Sequence, residues 1–232
     1  NESIQNAVKA GLERFGQIDV LVNNAGYGYR SAIDEGDVEE VATLYQTNLF
    51  GPIELMKAVL PGMRERKSGA ILNVTSIAAA RSAIGSGYYA SSKAALELLT
   101  NGLMKELAPL GIKVMVVQPG AFRTRFYDTT SLKGTSSAIS DYEGTVGKSR
   151  PGNFENKHNQ AGDPDKAGEV IVEVVNGSGA FFSLVPCLIE ETEKIVNIDY
   201  IKKEIKNKNF IIKSPKEFFE NEKVMWLNAT LT

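Results

Sequence analysis

Tyr89 and Lys93, in the run YYASSK, stand four residues apart, and Ser76 lies thirteen residues before the tyrosine. On a helix, positions i and i+4 share a face about one turn apart. An ammonium one turn from a phenol favours the phenolate, because an opposite charge stabilises the ionised form. A free tyrosine titrates near ~10, too high for proton transfer at neutral pH without such help. A serine hydroxyl arriving from another element can hold a substrate oxygen beside that phenol. The three groups suit moving a proton onto or off an oxygen while another agent moves a hydride. Tyr88 is the rival phenol, but four residues beyond it stands Ser92, not a lysine.

The elements that must position these groups are legible from periodicity. Residues 2–15 place Ile4, Val8, Leu12 and Phe15 at helical spacing. DVLVN, 19–23, AILNVTS, 70–76, and IKVMVVQ, 112–118, read as short apolar strands. Residues 38–66 read as one long helix with a kink or boundary at Pro52, and residues 87–108 as the helix carrying Tyr89 and Lys93. Apolar strands alternating with helices predict an α/β fold, a parallel sheet covered on both faces. Active groups then fall at the carboxyl ends of strands, where Asn24, Ser76 and Pro119 stand.

Five ordered motifs carry a resemblance: NNAG at Asn23–Gly26, Asn48 in TNLFG, NVTS ending at Ser76, Tyr89 with Lys93, and PGAFRT at Pro119–Thr124. Over roughly residues 1–180 the chain resembles the short-chain dehydrogenase/reductase family, and its NNAGYG and NLFGPIELMKAVLPGM stretches look like the hydroxysteroid- and retinol-dehydrogenase-like branch. The resemblance implies a Rossmann-like doubly wound parallel sheet and NAD(P)-dependent interconversion of a carbonyl and an alcohol. It makes Tyr89 the acid/base, Lys93 its tuner and the holder of the nicotinamide ribose, Ser76 the guide for the substrate oxygen, and Asn48 the anchor of a water feeding protons through Lys93. It puts the backbone of Asn24, Ala25 and Gly26 along the adenosine half of the cofactor, with Pro119, Gly120, Phe122 and Thr124 at the nicotinamide end. It also implies a homo-oligomer paired through the helices at 38–66 and 87–108. Ordinary readings stand beside these: Ser76 as an end-of-strand hydroxyl, Asn48 as a helix-bending residue, Lys93 as a solvated cation.

The family's first strand and its glycine-rich phosphate-binding turn have no counterpart here, as no G-x-x-x-G-x-G run occurs. About 60 residues, two strand–helix units of ~30 each, are expected to be missing, and with them the residue that selects NAD from NADP. The cofactor expectation is therefore NAD or NADP without a choice. The alternative is an inactive fragment or remnant without dinucleotide binding, and a weaker one is an assembly module. DVLVN would become an apolar sheet edge with unpaired amides.

Residues 123–162, polar with isolated Phe126, Tyr127, Tyr142 and Phe154, read as a substrate lid or as a solvated insertion. A helix is expected from Asp163-Pro164, a cap followed by proline. Beyond residue 180 glycine and arginine disappear, which marks 181–232 as a divergent helical tail, with FIIK, 210–213, a possible strand. Tyr27, Tyr29, Ala78, Ala79 and Ile84 suggest an apolar pocket for a small apolar carbonyl or alcohol.

The net charge of −2 leaves no footprint for nucleic acid, and no apolar run reaches the ~20 residues of a membrane span. One cysteine, Cys187, fits a reducing, cytoplasmic setting and reads as a small buried apolar residue. The one histidine, His158, reads as a solvated loop residue, and no metal site is expected.

Overall fold

Three apolar strands stack side by side as the sequence pattern requires. In the computed structural model, which describes residues 2–150, 159–160, 162–176, 183–185 and 226–228, β1 (Val20–Asn23), β3 (Gly69–Val74) and β4 (Ile112–Val117) run parallel in that order. A short β6 (Ser183–Val185) follows in parallel with β4, and β7 (Trp226–Asn228) pairs antiparallel with β6. The rest of the 181–232 segment, with Cys187 and residues 210–213, lies outside the described residues, as do Phe154 and His158.

Side-chain alternation sends register partners to the same face. Ile71 and Val114 are partners, and both point into a cluster with Val8 of α1 (Glu2–Phe15), Met56, Val59 and Met63 of α3 (Gly51–Arg66), and Leu107 of α4 (Gly87–Leu107). Leu72 and Met115 are also partners and point the other way, against Ile171 and Val175 of α5 (Pro164–Asn176). Burying such an aliphatic side chain stabilises by roughly 1.5–3 kcal/mol, so these layers hold the frame rigid under the site. The fold is an α/β, Rossmann-like layer structure. Among the described residues β1 is a sheet edge. Its Val22 is 49% exposed although its partner Leu72 is fully buried, which is the expected apolar edge.

Beneath the strand ends a polar ladder ties three elements together. Asn23 Nδ2 donates to Asn73 Oδ1 at 2.7 Å, Asn73 Nδ2 donates to Thr100 Oγ1 at 2.8 Å, and Thr100 Oγ1 donates to Leu96 O. It locks β1, β3 and α4 in register where the catalytic candidates emerge.

One expectation changes. Residues 38–66 are not one continuous α-helix: α2 (Val38–Tyr45), capped by Asp37 through Glu40 N, passes through a π-helical stretch, Gln46–Phe50, into α3, which has Pro52 in its first turn. The wide turn carries Asn48 fully buried. The segment from 123, read as a substrate lid or a solvated insertion, holds one short strand in its described part. Its β5 (Leu132–Gly134) pairs in parallel with β2 (Gly28–Arg30). Strands of three residues bounded by glycine leave no periodic trace, which is why neither is legible in the sequence. The helix at Asp163-Pro164 forms as expected, with Asp163 Oδ1 accepting from the amides of Asp165 and Lys166.

Candidate active site

Asn24 follows β1, Thr75 and Ser76 follow β3, and Pro119 follows β4, so the carboxyl ends of three parallel strands open into one cavity of about 470 Å³. Of the residues singled out in the sequence, Asn24, Gly26, Ser76, Tyr89, Lys93, Pro119, Gly120, Phe122 and Thr124 line it. Ala25 does not, and Asn48 lies behind Gly26 rather than on the wall. Of the residues suggested for an apolar pocket only Ala78 lines the cavity. Tyr29 is buried elsewhere and accepts from Asp37 N, Tyr27 faces Lys133, and Ile84 is 63% exposed.

The helix spacing works out as expected for one phenol and not the other. Tyr89 faces the cavity, whereas the Tyr88 hydroxyl donates to Ile33 O at 2.6 Å and its ring lies edge-on to Tyr29. Ser76 lines the same cavity. Ser76 stays in place because its Oγ accepts from Ala78 N at 3.1 Å at the start of a short helical turn.

The electrostatics differ from the sequence expectation. Burial pushes the Tyr89 phenol above its ordinary value of 10.0. The Ser76 hydroxyl draws it back, Tyr127 adds to the rise, and Arg30 opposes it. Lys93 is not among these influences. Its Nζ turns instead to donate to Val74 O at 2.8 Å, and burial lowers it to about 8. One turn of helix places two residues on a face, but a long flexible lysine chooses its own hydrogen-bond partner. Tyr89 is thus held as a neutral phenol at neutral pH, the form that gives a proton.

Gly26 is where the wall comes closest to this machinery. A Cβ there would stand 3.0 Å from Lys93 Nζ and 3.1 Å from Asn48 Oδ1. Asn48 is clamped by accepting from Tyr27 N and donating to Tyr27 O and Ser92 Oγ, all near 3 Å. Behind the opposite wall Glu97 accepts from Thr75 Oγ1 at 3.2 Å and from Gln118 Nε2, bracing the ends of β3 and β4. Burial pushes its carboxyl up, and these two bonds oppose the rise.

From the 123–162 segment, Phe126 and Tyr127 reach the cavity. The Tyr89, Phe126 and Tyr127 rings form a row with centroids 5.6 and 5.4 Å apart. Tyr142 instead bonds Asp34. Sequence reasoning missed Arg30, Arg81 and the α5 residues Ala167, Gly168 and Ile171 on the lining. The face of Arg30 follows from the pairing of β2 with β5, which leaves no signal in the sequence.

Residues 1–133 match the family model of the short chain dehydrogenases. The chain belongs to that family. Oxidoreductase BOA17 of Botryotinia fuckeliana is 34% identical over 175 residues, covering 75% of this chain and 63% of that relative. The chain spans less than two thirds of the curated relatives it matches. A short-chain dehydrogenase from Streptomyces avermitilis superposes with a TM-score of 0.72 at 32% identity, over 96% of this chain and 76% of that one. An alcohol dehydrogenase from Thermococcus sibiricus, solved with 5-hydroxy-NADP, gives 0.60 at 27% identity, over 79% and 68%. Among the described residues of this family member no helix is long and apolar enough to cross a membrane, and no group of three or more His, Cys, Asp or Glu side chains could hold a metal ion.

Proposed function

We propose that this chain interconverts a carbonyl and a primary or secondary alcohol, with Tyr89 as acid/base and NAD or NADP as the hydride carrier. The observation that carries the reading is the convergence of Ser76, Tyr89 and Lys93 on one cavity at the carboxyl ends of three parallel strands. A nicotinamide dinucleotide, when bound, supplies or accepts the hydride. The lining fits such a group: Gly26 leaves open the space beside Lys93 and Asn48 that a Cβ would fill. Asn24, Ala25 and Gly26 are assigned to its adenosine side, Pro119, Gly120, Phe122 and Thr124 to its nicotinamide end, and Lys93 to the nicotinamide ribose.

For reduction, the substrate oxygen lies between Ser76 Oγ and Tyr89 Oη. Negative charge builds on that oxygen as its double bond is lost, and the two hydroxyls stabilise it. Tyr89, kept protonated by burial, then transfers its proton to that oxygen. Oxidation runs the same proton backwards. Lys93, lowered to about 8, exchanges protons readily near neutral pH and is placed to restore the phenol through a water held by Asn48. Val74, Ile77, Ala78, Val117 and Ile171 supply apolar walls, which supports a compact, largely apolar substrate of the kind taken by the hydroxysteroid- and retinol-like branch. We assign residues 1–180 to the catalytic domain with a lid from 123 to 162, and 181–232 to a separate tail. We also assign a homo-oligomer, supported by exposed Val38, Phe50 and Leu98 on the helical stretches 38–66 and 87–107.

Two measurements on the 232-residue chain test the reading. The first is a fluorescence titration with NADH and NADPH. The second is absorbance-monitored oxidation of each against a panel of aldehydes and ketones. Saturable cofactor binding with carbonyl-dependent oxidation is expected; the absence of both sinks the reading.

A further inference from the structure

Every ionised side chain among the described residues lining the cavity is a cation. Arg30, Arg81 and Lys93 are there, and no aspartate or glutamate is. Lys93 lies low, on Val74 O beside Gly26. Arg30 occupies a different wall, and its position follows from the strand that carries it. In β2 successive side chains alternate. Tyr29 points into the core at 1% exposure, so Gly28 and Arg30 share the opposite face. On that face Phe126 lies against Gly28 so closely that a Cβ there would be 3.2 Å from its ring. Phe126 in turn stacks between Tyr89 and Tyr127. The Arg30 backbone is pinned by pairing with Gly134 and by accepting from Thr135 N at 3.2 Å. Its guanidinium therefore projects beside the aromatic row at the substrate end. There it acts on both the Tyr89 and Tyr127 phenols, and burial weakens its hold on its proton. Arg81, exposed, stands just after the short helical turn that follows Ser76 on the same cavity and adds the same sign.

We infer that the substrate carries an anionic group, a carboxylate or an equivalent oxyanion, on an otherwise apolar body, and that Arg30 binds it. The inference rests on the carbonyl–alcohol reading of the same site and narrows its substrate class. A guanidinium offers a planar pair of donors that matches a carboxylate, and in a half-dry cavity such a charge-assisted pair is stronger than in water. A neutral analogue forgoes that charge-assisted pair. An amine-bearing analogue meets repulsion.

The test compares 4-formylbenzoate with its methyl ester, which share the aldehyde and the ring and differ by the charge and one methyl group. Binding to the 232-residue chain is measured by calorimetry, and NAD(P)H-dependent reduction is followed in parallel. The native chain is expected to prefer the acid by about tenfold or more, the scale of one charge-assisted contact. Arg30→Met should weaken binding of the acid by about the same factor and binding of the ester by clearly less, and Arg30→Lys should recover part of the loss. Unaltered thermal unfolding of the variant guards against misfolding. Binding of acid dependent on Arg30 without reduction of either compound sustains the inference and removes the redox reading. Reduction of both compounds equally, with Arg30→Met affecting neither preferentially, sustains the redox reading and overturns the inference. Binding of neither compound at millimolar concentration also overturns it.

Discussion

Arg150 Nη2 donates to Glu35 Oε1 at 2.7 Å, joining two residues 115 positions apart and clasping the end of the 123–150 stretch to the loop after β2. Glu35 is buried, and its carboxylate also accepts from Ile139 N at 2.7 Å and Ala32 N at 2.9 Å. The Ile139 hydrogen bond leads in holding this carboxyl below its ordinary 4.5; burial opposes it, and Ala32 and Arg150 add to the lowering. A carboxylate lowered in the fold contributes stability that is complete above the unfolded value. That contribution is lost as pH falls below about 4.5 through the folded value. Glu35→Gln should therefore speed amide exchange across 123–150 at pH 7 by about tenfold or more, without changing β3 or β4. The native segment should loosen on acidification below pH about 4.5, and the variant should show no such step. Equal protection in the two proteins at pH 7 would remove the clasp.

Tyr89→Phe keeps the ring that packs on Phe126 at 5.6 Å and deletes only the hydroxyl. Turnover in either direction should fall by ~10² or more, the usual worth of a positioned proton donor. Cofactor affinity and thermal stability should stay close to native. Near-normal turnover in the variant would be fatal to the assignment. Tyr88→Phe is the matched control, because its hydroxyl serves only Ile33 O and Ser76 is not within its reach.

What was legible in the sequence was local. The strands at 20–23, 69–74 and 112–117 announce themselves by continuous apolar runs, and the Tyr89–Lys93 pair by helical spacing. Ser76 was placed because it ends a strand, and parallel strands end at the site. What was not legible depends on where the chain returns. Glu35 and Arg150 carry no mutual signal across 115 residues. Arg30 looked like an ordinary charged residue until β2 was paired with β5 and alternation fixed its face. The π-helical turn around Asn48 has the same residue types as an α-helix, and only its tertiary bonds to Tyr27 and Ser92 show why the turn widens. The hydrogen bond from Lys93 Nζ to Val74 O is hidden for the same reason, since its acceptor lies on another element.

Gly26→Ala puts a methyl group 3.0 Å from Lys93 Nζ and 3.1 Å from Asn48 Oδ1. Both are closer than ordinary contact, and Asn48 is fixed by three hydrogen bonds, so the lysine must give way. The stability cost of such overpacking is expected to be modest, about 1–2 kcal/mol. The functional cost should be larger: KM for the nicotinamide cofactor should rise, because the same methyl fills the space assigned to it. Gly102→Ala, where nothing lies within 4 Å, should leave that KM unchanged. An unaltered cofactor KM in Gly26→Ala would place the cofactor elsewhere.

Lys93 is 4% exposed, and burial lowers it from 10.5 to about 8, so its charge is a burden on the fold. Below pH about 8 it is protonated in both folded and unfolded chains, and the fold bears the full desolvation cost. That cost is roughly 3 kcal/mol at 1.36 kcal/mol per pH unit. Between about 8 and 10.5 the unfolded chain still binds a proton that the folded chain has released, so native stability rises with pH across this window. Lys93→Met removes the buried cation but also strips Val74 O of its donor, which returns a cost of about 1–3 kcal/mol. At pH 7 the variant should thus be as stable as the native chain or more stable by up to ~2 kcal/mol. By pH 10 the balance should have moved about 2–3 kcal/mol toward the native chain. Cofactor binding should be weakened at every pH. Denaturant unfolding at pH 7 and pH 10 reads the first effect, and cofactor titration reads the second. A variant less stable than native by the same margin at both pH values would mean that Lys93 is a structural prop rather than a functional charge kept at the expense of stability.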